Sequence, residues 1–440
     1  MFKQYCLQSL KRIFSLAFMR VVLILLCLLG KTATAQTAKL PTFEAYVKGA
    51  IPNRQELDIF LGGSGVWAKY DTQLGYILGN SIPREGIDNS LNISTTDHKG
   101  FRTMQMYRDR PCRINTYGNS FTQCQQVSDG ETWQEYLAAH LGEPIRNFGV
   151  GGYGVFQSYK RLLKEENTKN AADYLIFYIW GDDHVRSLLR CRYLAIKQWN
   201  QKNQPGFKFH GNFWPNLEMD LSSGRFIEKP NPLNTKRKLY KMTDTTWMWE
   251  NVKDDIALQL LLFKNKEIAS LDLENVQKLA KHLQLNISLK DYADLEQNAS
   301  YLLDQYSFAA TKHILEKLKF YAQKNDKKLM IVLFDPYRVT NSLVETGNRY
   351  DEEVVRYLQE GQFNFFDMNL IHVEDFKKFN LNLKDYYGRY LLGHYNPTGN
   401  HFFAYSIKDK IIQWLSPKPT TYKVTEDNWI DFKGYLQGIY

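Results

Sequence analysis

Three stretches of this chain carry residue types that could do chemistry together. Tyr117-Gly118-Asn119-Ser120-Phe121-Thr122 sets a serine just after a strand candidate, Arg113 to Thr116, and ahead of a helix candidate. A serine at a strand's carboxyl end, preceded by a small and a polar residue, is where an α/β sheet exposes a nucleophile. Its hydroxyl is a poor nucleophile until a base takes the proton, and Gly393-His394-Tyr395-Asn396-Pro397 offers a histidine in a loop before the last helix candidate. The third stretch, Asn147-Phe148-Gly149-Val150-Gly151-Gly152-Tyr153-Gly154, is a glycine-rich turn at a helix N-terminus. Backbone N–H groups in such a turn can face a developing oxyanion. The chemistry these parts would make is acyl transfer through a serine.

The elements that must position them alternate. Strand candidates Arg113–Tyr117, Ile145–Phe148, Tyr174–Trp180, Leu329–Phe334 and Phe363–Phe366 are separated by helical patterns over Thr132–Leu141, Val155–Glu166, Phe308–Gln323 and Glu352–Glu360. A final helix is expected from Pro397 toward Trp414. Strands alternating with helices of this length predict a parallel sheet covered on both faces. The alternation stops after Gly181-Asp182-Asp183-His184 and resumes near Phe308, so residues 193–307 read as an inserted subdomain rich in aromatics. Residues 36–105, rich in Gly, Asn, Asp and Thr, read as an irregular or short-stranded extension, the core domain as 106–192 with 308–415, and 416–440 as a tail.

At 440 residues and 44% apolar, the chain can bury a large core. Lys3, Lys11, Arg12 and Arg20, the apolar run Val21 to Gly30 and Ala33-Thr34-Ala35 follow the order of a secretory signal, with cleavage after Ala35. A run that short does not span a bilayer. Residues 1–35 include five basic and no acidic side chains, so the net charge of +9 falls to +4 without them. The expected location is secreted or periplasmic, with no transmembrane segment once the signal is removed. The densest remaining basic cluster, Lys236-Arg237-Lys238 with Lys241, reads as a solvated face, and nucleic acid is not indicated. Beyond the signal stand Cys112, Cys124 and Cys191, too few for a disulfide framework. Cys112 and Cys124 bracket Ser120 and could bridge; free thiols are the other reading. No metal-ligand spacing such as C-x-x-C or H-E-x-x-H occurs, and no cofactor is called for.

Taken together and in order, these blocks resemble the SGNH (GDSL-type) hydrolase superfamily. Gly118-Asn119-Ser120-Phe121-Thr122 is similar to its first block, G-D-S-F-T, with Asn119 in place of a non-catalytic Asp. Asn147 to Gly154 is similar to the second block, His394 to Asn400 to the last, H-x-N-P-x-G, and Lys99-Gly100-Phe101-Arg102 to a G-F-R element that often precedes the first block. The likeness covers about residues 95–192 and 308–415. It implies an α/β fold, a flavodoxin-like three-layer α/β/α sandwich with a central parallel sheet, and ester hydrolysis. Ser120 would be the nucleophile, His394 the general base and then acid, and the N–H groups of Ser120 and Gly152 the oxyanion donors.

The chain departs from the pattern twice. The third block normally carries an Asn whose side chain is an oxyanion donor, whereas here a carboxylate stands in its place, Asp182, or Asp183 if the register differs. An ionised carboxylate cannot donate, and losing one such donor typically costs on the order of 10²–10³ in turnover. The Asp that usually precedes the histidine is replaced by Leu391 and Leu392. His394 must then be oriented by a backbone carbonyl or by a carboxylate such as Asp335, Asp367 or Asp385. His184, Asn119 and Asn396 are the expected substrate-side polar groups, and the aromatic insert the expected source of specificity. The expected substrate is a small-molecule or polysaccharide acyl ester, with O-acetyl on carbohydrate foremost. O-acyl transfer to a glycan and glycan binding without turnover are the alternatives.

Overall fold

The structure, a computed structural model, describes residues 40–62, 67–196, 212–289 and 292–422. The expected signal segment and the last part of the tail lie outside these residues.

Five short strands form the central sheet: β1 (Ile114–Tyr117), β2 (Arg146–Asn147), β3 (Tyr174–Ile179), β4 (Lys328–Leu333) and β5 (Phe365–Asp367). All pair in parallel, in the spatial order β2-β1-β3-β4-β5. That is the flavodoxin-like doubly wound order, in which chemistry gathers outside the carboxyl ends of the strands. Every residue of β3 is buried, and its alternation feeds two separate cores. Leu175, Phe177 and Ile179 enter one, and Tyr174, Ile176 and Tyr178 the other. A strand apolar on both faces is stable only with cover on both sides.

The helices provide that cover. The short α1 (Ser120–Gln123) leaves β1, and α2 (Trp133–Leu141) packs with the last helix on one face, where Trp133 and Phe403 approach to 4.8 Å between rings. On the other face lie α3 (Val155–Glu165), α4 (Tyr292–Lys324) and α5 (Glu352–Glu360), contributing Phe156, Leu162, Ile314, Leu318, Val354 and Leu358. The last helix, α6 (Pro397–Trp414), begins as expected, with Asn396 accepting from the Gly399 N–H and Pro397 in the first turn. Helix α2 is capped by Thr132 and stopped by Gly142.

Two regions differ from expectation. The extension is more helical than its composition suggests, with helices at Phe43–Lys48 and Arg54–Gly62 before a hairpin of Ala68–Asp71 with Gly75–Leu78. Phe43, Tyr46 and Leu57 share a core with Met248 and Leu258 of the insert and Leu175 of the sheet, and that burial supports short helices that propensity alone would not. Helix α4 starts at Tyr292 rather than Phe308, since no Gly or Pro interrupts the segment. Cys112, Cys124 and Cys191 are free, so no bridge stiffens the Ser120 turn. Among the described residues no helix is long and apolar enough to cross a membrane.

What fixes that turn instead is Arg102, 2% exposed. Its backbone N–H donates to the Asn147 carbonyl at 3.1 Å and so covers the edge of β2. Its guanidinium donates to the carbonyls of Gln123, Cys124 and Val127 at 2.8 to 3.1 Å and to the Asp129 carboxylate at 2.7 Å. One planar fork thereby ties down the loop that follows the nucleophile. Arg102→Ala would leave three interior carbonyls without their donor and the Asp129 carboxylate with Thr95 but without its countercharge. The expected cost is about 3–5 kcal/mol, read as a lower urea midpoint. Arg102→Lys should recover only part of it, because an ammonium cannot reach all four acceptors in a fork.

Candidate active site

Ser120 is the first residue of α1, directly outside the carboxyl end of β1. Asn119 makes the turn: its Oδ1 accepts from the Phe121 N–H at 2.7 Å, and its Nδ2 donates to the Asp183 carboxylate. The loop after β2 presses against this turn so closely that a Cβ on Gly149 would stand 2.2 Å from the Gln123 nitrogen. Only a glycine fits there.

His394 Nε2 lies 2.7 Å from Ser120 Oγ. On the far side of the ring, Gln126 Oε1 is 3.1 Å from Nδ1 and 2.8 Å from the backbone N–H of the same histidine. A backbone N–H can only donate, so the Gln126 atom facing it must be the carbonyl oxygen and not the amide nitrogen. An oxygen facing Nδ1 requires the proton on Nδ1. Nε2 is then left with a lone pair aimed at the serine hydroxyl, the tautomer a general base needs. Burial first, and then the nearby Arg186 cation, push His394 down to about 4, which keeps the ring neutral and proton-accepting at neutral pH.

The oxyanion side is also built. In the turn after β2 the Gly149 N–H goes to Asn147 Oδ1, that of Val150 to the Gly118 carbonyl, and that of Gly151 to Gln123 Oε1. Among the described residues the N–H groups of Gly152 and Ser120 have no partner and stay available. Gly152 has φ +84°, and a Cβ there would meet Arg192 Nη1 at 2.0 Å. The Arg192 guanidinium, 4% exposed, therefore lies against the oxyanion turn. Burial and the neighbouring Arg186 push its pKa down to about 10, which leaves it a cation at neutral pH. A fixed positive charge beside this turn would favour a developing negative oxygen.

The third block divides its two carboxylates. Asp182 is more than half exposed and faces Arg186 at 3.5 Å. Asp183 is buried and committed, accepting from Asn119, from the Trp180 N–H at 2.9 Å and from Arg186 Nη1 at 3.0 Å. Burial pushes Asp183 up to about 7 against these partners. Its work is to tie the first block to the third. Neither carboxylate hydrogen-bonds Ser120 among the described contacts.

Three expected substrate-side residues are structural instead. His184, 3% exposed, bonds Thr311 Oγ1 at 2.7 Å through Nδ1 and packs edge-on against Phe308, which fastens the Asp183–Arg186 turn to α4. Asn119 is fully spent in the nucleophile turn, and Asn396 spends its amide on the Gly399 N–H and the Arg389 carbonyl. The triad position is filled by none of the three carboxylates considered. Asp335 caps Tyr337 and Arg338, Asp367 pairs with Arg349, and Asp385 is bound to Asn382. Of the insert's described aromatics, Phe213 meets Trp247 edge-on and the buried Trp214 donates its indole N–H to the Leu189 carbonyl, while Tyr301 is exposed. Trp199, Phe207 and Phe209 lie outside the described residues.

Gln126, Arg186 and Arg192 are the site residues that motif reading missed. The only signal for Gln126 was the amide run Gln123, Gln125 and Gln126 after the nucleophile block, and nothing in it singles out one member. Gln126 has φ +74°, a left-handed conformation unusual for a side-chain-bearing residue and of the kind that clusters at functional sites. No protein-family model matches this chain, and no curated protein matches it.

Nuclear magnetic resonance titration of the His394 ring should give a midpoint well below the ordinary 6.5, near the value of about 4. Since the folded state disfavours the imidazolium, this group makes stability fall as pH drops from about 6.5 toward 4. Gln126→Glu puts a carboxylate against Nδ1–H, stabilises the imidazolium and should move the midpoint upward.

Proposed function

We propose that this chain is a serine esterase of the SGNH type, exported from the cell, that hydrolyses short acyl esters, with O-acetyl esters of carbohydrate foremost. The observation that carries the reading is the 2.7 Å contact between Ser120 Oγ and a His394 Nε2 whose lone pair is fixed by Gln126. As Oγ attacks the acyl carbonyl, Nε2 takes its proton, and the carbonyl electron pair moves to an oxygen held by the Ser120 and Gly152 N–H groups. Collapse returns that proton to the departing alcohol oxygen and leaves the acyl group on Ser120. Water then attacks the acyl carbonyl, His394 takes a proton from it, and the serine leaves with that proton while a carboxylic acid departs. The Arg192 cation, packed against the Gly152 turn, supplies part of what the missing third-block amide would give.

A fluorophosphonate should label Ser120 in the purified protein and fail to label His394→Ala, and phenyl acetate should be turned over by the wild-type chain alone. His394→Ala is expected to lower kcat by about 10²–10⁴. Labelling elsewhere, or turnover that survives Ser120→Ala, would end the assignment. Gly152→Ala should fold and cost on the order of 10²–10³ in kcat, because the left-handed turn and the adjacent Arg192 both resist a Cβ and displace the donor.

A further inference from the structure

A cavity of about 550 Å³, within the size range of small-molecule sites, shares Gln126 with the support of His394, though neither Ser120 nor His394 lines it. The extension supplies one wall through Asn80, Pro83 and Asn92, and the loop after the nucleophile supplies the other through Gln123, Gln125 and Gln126. Two of its residues belong at once to the site already described. Gln126 holds His394, and Gln123 Oε1 holds the Gly151 N–H one residue before the oxyanion glycine. Trp67, also on the wall, lies against Gly151, with ring carbon Cη2 3.4 Å from where a Cβ of that glycine would be. An occupant would therefore meet the site through Gln123, Gln126 and Trp67.

The chemistry of the lining says what that occupant is. Its charges are largely engaged: Arg102 by its carbonyls and Asp129, Glu85 by Gln125 Nε2 at 3.2 Å, and Arg84 by the Asn89 carbonyl. What remains is amide and hydroxyl polarity with one indole. Asn92 is 4% exposed, and its Nδ2 donor has no partner among the described residues. A buried amide donor left unpaired is costly and marks a place that a ligand or water completes. Neutral donors and acceptors beside an aromatic ring match the hydroxyls and the C–H face of a sugar and give no preference for an anion.

We propose that this cavity binds a neutral saccharide, the alcohol half of the ester. The occupant's role in turnover rests on the esterase reading; its binding does not. The test uses the full chain carrying Ser120→Ala, titrated with a methyl hexopyranoside and with the corresponding methyl hexuronate, followed by saturation-transfer nuclear magnetic resonance. The neutral glycoside should bind, and adding Asn92→Ala or Gln125→Ala should weaken it about tenfold or more, while the uronate binds no tighter. With Ser120 restored, Gln125→Ala should lower kcat/KM for an O-acetylated methyl hexopyranoside about tenfold through KM, a larger loss than for phenyl acetate, which has no sugar to place. No binding of the glycoside, binding untouched by both substitutions, or tighter binding of the uronate overturns the assignment even if phenyl acetate is hydrolysed. Glycoside binding lost in the two variants, with no turnover of phenyl acetate by the wild type, supports the cavity and overturns the esterase reading instead.

Discussion

One amide oxygen governs the chemistry available to this site. Gln126 Oε1 accepts from both the backbone N–H and Nδ1 of His394, and the backbone N–H, which can only donate, fixes everything after it. It fixes the orientation of the amide, then the proton on Nδ1, then the lone pair on Nε2. A carboxylate in that position would do the same and would also raise the basicity of the ring. A neutral amide orients without adding charge. That is consistent with a histidine held low by burial and by a nearby arginine.

The arrangement stands on the loop from Gln123 to Asp129, which has no regular structure of its own to hold it. Left-handed backbone at Cys124 and Gln126 costs on the order of 1–3 kcal/mol per residue. Arg102 offsets that by capping the loop's carbonyls from inside, with Asp129 neutralising the buried cation. Gly100-Phe101-Arg102 is thus part of the scaffold that holds the loop after Ser120, though Arg102 touches neither Ser120 nor His394 among the described contacts. The same loop forms the floor of the cavity, so the extension, the oriented histidine and the occupant's site are mechanically one region.

The replacement of the third-block amide acquires a physical reading from burial. Asp183 works as a tie between strands, accepting from Asn119 where the first block usually has an acid. Asn119 and Asp183 thus form a donor–acceptor pair across the β1 and β3 ends. Asp182 is turned toward solvent and Arg186, which screens its charge. Beside these carboxylates the turn after β2 keeps the Gly152 N–H without a partner among the described residues, with the Arg192 guanidinium packed against it.

The meeting of Ser120 with His394 at 2.7 Å was legible through the family resemblance, while the sequence by itself was enough for the parallel sheet and its order of elements. Those follow from local rules: buried strands read as continuous apolar runs, Thr132 with Gly142 and Asn396 with Pro397 mark helix ends, and side chains just past parallel strands meet at one edge. Tertiary structure alone decided which group orients His394, since Gln126 and the histidine are 268 positions apart and any of several polar residues was equally near in sequence terms. It likewise decided that His184 serves α4, that Asn396 serves its own helix and that Trp214 of the insert is buried against Leu189. The reason is the same in each case. A pattern of apolar residues states which face is buried, but the partner of a polar side chain depends on what the packing brings within 3 Å of it.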